Sequence, residues 1–382
     1  MKLTLLIFLL CLNCAVAADN ATRPAIRRDE SFKNEVQRAI DRGLDWLKAN
    51  QNTNGWWSSP DHPALTALPV MAFNGDPSKR HARSPFLTNA YAHILRGVKP
   101  SGGIFGTNLP TYNTAVSMMA LVSANNPAYD PVLRKARAYL VGLQTDFGEK
   151  GKADDVFDGG IGYGTRYEHS DMGNTLQALE ALHYTRHLLE DQKSTDAKDL
   201  NWAAAIQFLQ NCQNLPSHNK QSWVSDKPSD RGGFVYYPGY SMAGGETNAA
   251  GRVALRSYGS ISYGGLLSYI YAQLKHDDPR VRAVFDWLRS NYTLAENPGM
   301  GPQGFYYYFH TLTKALTAYG ANELELADGR KVPWRREVAS RVMDLQRRDG
   351  SWENDNSRWW EKDPVLVTAY AVLTLEMIHG GL

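Results

Sequence analysis

Glycine turns followed by aromatic or large apolar residues recur six times along this 382-residue chain: NGWW at Gly55, GGIFG at Gly103, GGIGYG at Gly160, GGFVYY at Gly233, QGFYYY at Gly304 and DGSW at Gly350. Successive turns lie 48, 57, 73, 71 and 46 residues apart, the spacing of a repeat with loops of variable length. Before most of the glycines runs an amphipathic helix. Val36, Ile40, Leu44 and Leu47 form the apolar stripe of the first and Trp334, Val338, Val342 and Leu345 that of the last, at helical spacing with charged residues on the other faces.

After each glycine comes a second helix that is apolar nearly all round: TALPVMAF from Thr66, TAVSMMALVSA from Thr114, TLQALEALHY from Thr175, SYGGLLSYIYA from Ser262, TLTKALTAY from Thr311 and TAYAVLTLEMI from Thr368. A helix without a polar face must be covered on every side. Six such hairpins predict an all-α fold, an (α/α)6 toroid in which amphipathic helices form an outer ring around an inner ring of apolar ones. An open superhelical stack is the other arrangement of helical pairs. The toroid is favoured, because open stacks seldom place glycine and several aromatics at every junction and their repeats are shorter and more regular.

A hydrophobic content of 43% with 21% charged residues is a globular balance. The net charge of +2 is spread without a basic run, which gives no case for a nucleic acid partner. MKLTLLIFLLCLNCAVA has a basic residue at Lys2, an apolar core to about Leu12, and Ala15 and Ala17 before Ala18, the pattern of a secretory signal cleaved after Ala17. Asn13 makes a poor lipobox around Cys14. Residues 1–17 are thus expected to be a signal, 18–32 an extension and 33–382 one toroid, in a secreted or periplasmic protein. Two of three cysteines fall in the signal, leaving Cys212, so no internal disulfide or cysteine-based metal site is expected. Asn20 and Asn291 are glycosylation sequons in a eukaryotic host.

RGLDWLKANQNTNGWW resembles the QW repeat of the squalene-hopene and oxidosqualene cyclases, with Arg42, Gly43, Trp46, Leu47, Gln51, Gly55 and Trp57 in its slots. VMDLQRRDGSW matches the second half, and the middle repeats keep fragments such as Gln144. The resemblance spans nearly all of the mature chain and implies a prenyltransferase and squalene cyclase type toroid, one barrel where triterpene cyclases have two. Gln can bond free backbone groups at helix ends, Gly permits positive φ and Trp covers the junction. The motif is therefore a structural clasp.

Three chemistries of similar toroids can be sought. The cyclase acid is the central Asp of Asp-x-Asp-Asp-Thr; the stretch that resembles it is HSDMGNT, where alignment on Thr175 puts Asp171 first but Gly173 and Asn174 at the central and third positions. A shifted register would let Asp171 serve as acid, and helix capping by Asp171 or Ser170 is the alternative. YYYFHTLTKALTAYG resembles the stretch bearing the zinc histidine of protein prenyltransferases, with His310 in place. The slots for its Asp and Cys partners hold Arg256, Tyr258 or Ser260, so no metal and no cofactor are expected. The Cys-Gly-Glu-Gln of thioester toroids is absent.

Trp56, Trp57, Tyr163, Tyr236, Tyr237, Tyr258, Tyr263, Phe305 to Tyr308, Trp359 and Trp360 fall at or just after the turns. They either pack the turns or line a cavity whose ring faces hold an apolar chain and stabilise cations. Of these, Trp57, Tyr163, Tyr237, Tyr258, Tyr263, Tyr307 and Trp360, with Arg256, are the candidate substrate-binding residues. Asp171, His169 and His310 are the candidate catalytic ones. Glu168, Arg252 and Lys314 share the zone, while Asp154, Asp155 and Asp158 are read as a solvated loop rather than a Ca²⁺ site.

Two function classes follow: an exported enzyme that binds or cyclises a polyprenyl or triterpenoid substrate, and a non-catalytic toroid that binds lipid, glycan or protein. A secreted polysaccharide lyase or hydrolase using His169, Tyr258 or His310 is a third. The expected partner is a hydrophobic small molecule, with membrane-surface contact also open. A closed apolar cavity would favour the first class and an open polar groove the third.

Overall fold

The computed structural model describes residues 19–82, 84–165, 169–190, 199–247 and 251–382. The segment expected to be a signal, and Glu168, lie outside the described residues. The inner helices are α2 (Pro63–Gly75), α4 (Pro110–Ser123), α6 (Met172–Tyr184), α9 (Gly259–Tyr271), α11 (Phe305–Tyr319) and α13 (Pro364–Gly380). Each packs on the next and α13 packs on α2, so the ring closes. The outer helices are α1 (Asp19–Ala49), α3 (Pro85–Arg96), α5 (Asp130–Val141), α8 (Trp202–Asn211), α10 (Pro279–Ser290) and α12 (Trp334–Asp344). A single turn, α7 (His187–Glu190), and two short hairpins, β1 (Gly245–Thr247) with β2 (Val253–Leu255) and β3 (Leu324–Glu325) with β4 (Lys331–Val332), decorate the connections. This is the all-α toroid expected from the repeat. Helix α1 begins at Asp19, so its backbone runs unbroken through the segment read as an extension. Among the described residues no helix is long and apolar enough to cross a membrane.

Packing follows the sequence pattern. Val36, Ile40, Leu44 and Leu47 are buried on one side of α1, while α9 buries twelve of its 13 residues and α13 twelve of its 17. The inner helices start about three residues before the runs of apolar residues, four of the six on Pro or Gly; proline suits a first turn whose N–H would be unpaired anyway.

Five of the six junctions share one construction. A glycine with φ between +86° and +97° sits at Gly55, Gly102, Gly159, Gly232 and Gly350. A Cβ on any of them would come within 2.0 to 2.5 Å of backbone atoms of the next outer helix, at Asn89, Lys135, Ala204, Ala283 and Arg42 respectively. In the double-glycine turns the first glycine holds this place, one residue before those picked out by sequence. Two residues on, the N–H groups of Trp57, Ile104, Ile161, Phe234 and Trp352 donate to the hydroxyls of Thr66, Thr114, Thr175, Ser262 and Thr368. Each therefore fixes a turn to the first part of an inner helix.

Glutamine completes four of the five. The Nε2 groups of Gln51, Gln144, Gln213 and Gln346 donate to the carbonyls of Gly55, Gly159, Gly232 and Gly350, and also to Phe86, Asn201, Arg280 and Ala39. Gln213 was hidden in the sequence by the long excursion before Gly232. Val98 stands in the place of glutamine at the remaining clasp, as its bridge to Ile104 shows. The last clasp grips α1 and closes the ring. The sixth junction, between α10 and α11, lacks the construction: Gly304 is instead the left-handed N-cap of α11, packed under Trp359.

Candidate functional site

A cavity of about 320 Å³ opens where the inner helices begin. Its wall carries eight aromatic rings, Tyr112, Tyr163, Tyr236, Tyr258, Tyr307, Trp359, Trp360 and Tyr370, with aliphatic Leu65, Leu109, Ile261 and Leu366 between them. Glu361 is the one carboxylic acid among the lining residues.

Four of the six tyrosine hydroxyls in the wall are tied to one another in pairs. Tyr112 and Tyr370 meet at 3.0 Å from α4 and α13, and Tyr163 and Tyr236 at 2.9 Å. Burial pushes the phenols of Tyr236, Tyr258 and Tyr370 well up, so all are neutral donors. At the rim, Trp359 and Trp360 are 41% and 47% exposed and both have positive φ, 54° and 67°. Two consecutive bulky residues in the left-handed region cost roughly 1–3 kcal/mol each, and the neighbouring contacts hold them. The His62 ring stands edge-on to Trp360 at 4.7 Å. The Arg358 guanidinium lies over Trp359 and donates to Gln303. Burial lowers His62, against the pull of Asp61, so it is neutral.

Glu361 is 1% exposed. Its Oε1 accepts from the Tyr307 N–H at 2.7 Å and its Oε2 from Asn354 Nδ2 at 2.6 Å. It thus caps the first turn of α11, where Gly304 offers no side chain. Burial raises its proton affinity, opposed by the backbone N–H groups of that turn and by Asn354.

The residues singled out from sequence divide. Tyr163, Tyr258, Tyr307 and Trp360 line the cavity. Trp57 does not: it is fully buried, its indole N–H donates to the Leu47 carbonyl at 2.7 Å, and it belongs to the clasp. Tyr263 is buried edge-on to Tyr308 within the ring wall. Tyr237 stacks on Tyr240 at 4.9 Å and meets His169 at 4.5 Å, beside the cavity rather than in it. Arg256 is exposed and outside the lining. His310 is buried behind the wall residue Tyr370, 5.2 Å from its ring, and burial with the nearby Lys314 holds it neutral.

Asp171 is the N-cap of α6, its two oxygens accepting from the N–H and the side-chain amide of Asn174 at 2.9 and 2.7 Å. It lies one layer behind the cavity; Gly173, which is in the wall, leaves a gap whose missing Cβ would sit 3.3 Å from Asp171 and 3.4 Å from Tyr236. Burial raises the Asp171 carboxyl, with Asn174 and the Tyr236 hydroxyl pulling the other way. Asp154, Asp155 and Asp158 accept backbone N–H groups and organise their own loop. Among the described residues no group of three or more His, Cys, Asp or Glu is placed to hold a metal ion.

Sequence reasoning missed Tyr112, Tyr370 and Glu361. The tyrosines lie inside apolar helical runs, and Glu361 sits in RWWEKD, whose charges look like those of a surface loop.

No family model matches the chain, and no curated protein matches its sequence. Solved structures do match. The type II terpene cyclase MstE from Scytonema covers 92% of this chain and 99% of its own, at 14% identity and a TM-score of 0.51. A variant of it in complex with its substrate geranylgeranyl dihydroxybenzoate covers 92% of this chain and 100% of its own, at 12% identity and a TM-score of 0.51. A possible member of the GH105 family from Salmonella enterica covers 91% and 94%, at 12% identity and a TM-score of 0.53. At these identities the likeness is one of fold, an α/α toroid of the terpenoid cyclase kind.

Proposed function

We propose that this protein binds a prenyl-type apolar chain in the cavity at the start of the inner helices. The observation that carries this is the wall itself: eight aromatic rings and several aliphatic side chains around a single carboxyl. A flexible isoprenoid gains burial from such a wall, and π faces favour any positive charge that develops on it. Polysaccharide hydrolysis fits less well, because it commonly uses two facing carboxyls and this lining has one. The MstE substrate carries a geranylgeranyl group, which agrees with a prenylated ligand on this scaffold.

Size limits the ligand. A cavity of about 320 Å³ lies at the small end of the ~300–1,000 Å³ usual for small-molecule sites. One end of a chain is enclosed, and the rest passes out past the exposed rings of Trp359 and Trp360. Native mass spectrometry and tryptophan fluorescence with farnesol, geranylgeraniol and squalene test this. One bound molecule per chain, weakened several-fold in Trp360→Ala, is expected. No retention of any of the three, or equal retention by an oligosaccharide, would reject the reading. On the strength of the N-terminal segment we also place the mature protein outside the cytoplasm; an N-terminus found at Ala18 supports this and one at Met1 opposes it.

A further inference from the structure

We propose that the ion pair of Glu180 with Lys314 is the floor of this cavity and sets how much of a prenyl chain it encloses. The inference rests on the prenyl-binding reading and adds a length limit to it. The pair joins helices that are not neighbours: α6 and α11 each pack on α9, which lies between them in the ring. A bond between side chains of α6 and α11 therefore passes through the inside of the ring, in front of α9. Depth follows from the helix repeat. Gln177 on α6 and Tyr307 on α11 line the cavity. Glu180 stands three residues past Gln177 and Lys314 seven past Tyr307, on the same helix faces and one and two turns deeper. His310, at the intermediate turn of α11, packs its ring on the wall residue Tyr370, and burial and then Lys314 lower its proton affinity. The charge of Glu180 also reaches the wall: burial, then Tyr112, and with them Glu180 raise the Tyr307 phenol. Wall and pair are successive layers of one lumen.

Packing alone does not account for these two residues. Their side chains are 7% exposed at Glu180 and 19% at Lys314, and at such burial an ion pair gains little over well-packed apolar residues, because both charges lose their water. What the pair adds is resistance to an apolar intruder. A prenyl end that pushed past it would leave a carboxylate and an ammonium buried and apart, whereas apolar side chains at the same place would meet it as they meet one another. The chain therefore stops at the pair. An added isoprene unit lengthens the part outside the rim, and farnesol and geranylgeraniol, which differ by one such unit, are held almost equally.

The test compares farnesol with geranylgeraniol as ligands of the full chain, with affinity read by tryptophan fluorescence and native mass spectrometry and the folding of each variant by circular dichroism. Wild type is expected to hold the two within about threefold of each other, since the extra unit gains no burial. Glu180→Ala combined with Lys314→Ala removes both charges at once and deepens the cavity, so geranylgeraniol should gain about tenfold or more over farnesol. Glu180→Lys combined with Lys314→Glu rebuilds the pair in reverse and should restore the wild-type ratio. A further measurement needs no substitution. Farnesol carrying a diazirine at its hydrocarbon end should, on irradiation of the wild-type complex, label Gln177, Glu180 or Lys314 and no residue deeper on α6 or α11. A wild type that already favours geranylgeraniol tenfold, an unchanged ratio in the folded alanine variant, a folded reversed pair that behaves like the alanine variant, or a label beyond the pair or at the rim would each overturn the inference and leave prenyl binding standing. If neither variant folds, the label alone decides. Absence of binding to wild type would remove both.

Discussion

Helices α6 and α11 both begin in the buried interior, yet their free N–H groups are met in different ways. At α6 the solution is local. Asp171, one residue ahead of the helix, caps it, and the clasp of Gln144, Gly159 and Thr175 holds the turn in place. At α11 the N-cap is Gly304, the clasp is missing, and the cap is Glu361, 54 residues beyond Tyr307 in sequence. The difference separates scaffold from site. Where the repeat is kept, its carboxyl stands one layer behind the cavity; where the repeat is broken, a carboxyl arrives from another hairpin and stands in the wall.

Removing a clasp tryptophan should have the largest effect. Trp57→Ala empties a fully buried site and removes the indole N–H bond to the Leu47 carbonyl, at a cost of about 3–5 kcal/mol. Trp360→Ala, at the exposed rim, should change stability by less than about 1 kcal/mol while weakening prenyl binding. Guanidinium unfolding of the two variants, with binding measured on the second, separates the roles. Equal losses of stability would erase the distinction between clasp and rim.

Glycine substitutions sharpen the same contrast. Gly159→Ala drives a Cβ to 2.0 Å from the Ala204 carbonyl at a φ of +86°, and should cost about 3 kcal/mol or more. Gly304→Ala meets the Trp359 ring at 3.0 Å and no backbone atom among its nearest neighbours, and should cost about 1–2 kcal/mol for its left-handed backbone. Its larger effect should be on ligand entry, as Trp359 is displaced. A Gly304→Ala variant as unstable as Gly159→Ala, by thermal and chemical unfolding, would mean that the sixth junction is a clasp after all.

How much could be foreseen follows the same line. The scaffold was legible because its signals are short-range and repeated: QNTNGWW and QRRDGSW place glutamine, glycine and tryptophan at fixed spacing, and helical periodicity supplies the rest. Gln213 was missed because its partner glycine is 19 residues away. The cavity was half legible. Tyr163, Tyr258, Tyr307 and Trp360 lie next to turns, where position implies the ring's mouth. Tyr112 and Tyr370 lie on helices apolar all round, where no polar face shows which side looks inward. Glu361 could not be found from spacing, since what brings it to α11 is the packing of hairpins far apart in sequence.

Gln144→Ala tests the clasp more gently. It removes two donated hydrogen bonds and the acceptor of the Asn201 N–H, for a loss of about 1–3 kcal/mol. The cost should fall mainly on the outer contact between α5 and α8. Hydrogen exchange should therefore quicken at Asn201 and the start of α8 while the cavity keeps its affinity. Weakened binding would show that outer clasps and inner wall are coupled.

The smallest expected effect is at Asp171, and its pH dependence tells a neutral cap from a charged one. Burial raises the Asp171 carboxyl above its unfolded value of 3.8. As pH rises from 3.8, the unfolded chain gives up this proton first, so it binds fewer protons than the folded chain and wild-type stability falls through that window. Asparagine caps helices as well as aspartate does and does not titrate. Asp171→Asn should therefore match wild type below pH 3.8 and become the more stable protein as pH rises, seen as a growing difference in urea midpoints. The opposite trend, a variant that loses ground with rising pH, would mean that Asn174 and Tyr236 hold Asp171 as an anion. The start of α6 would then be a charged site behind the wall, able to polarise the Tyr236–Tyr163 pair toward the cavity, and the division between scaffold and site drawn from α11 would not hold there.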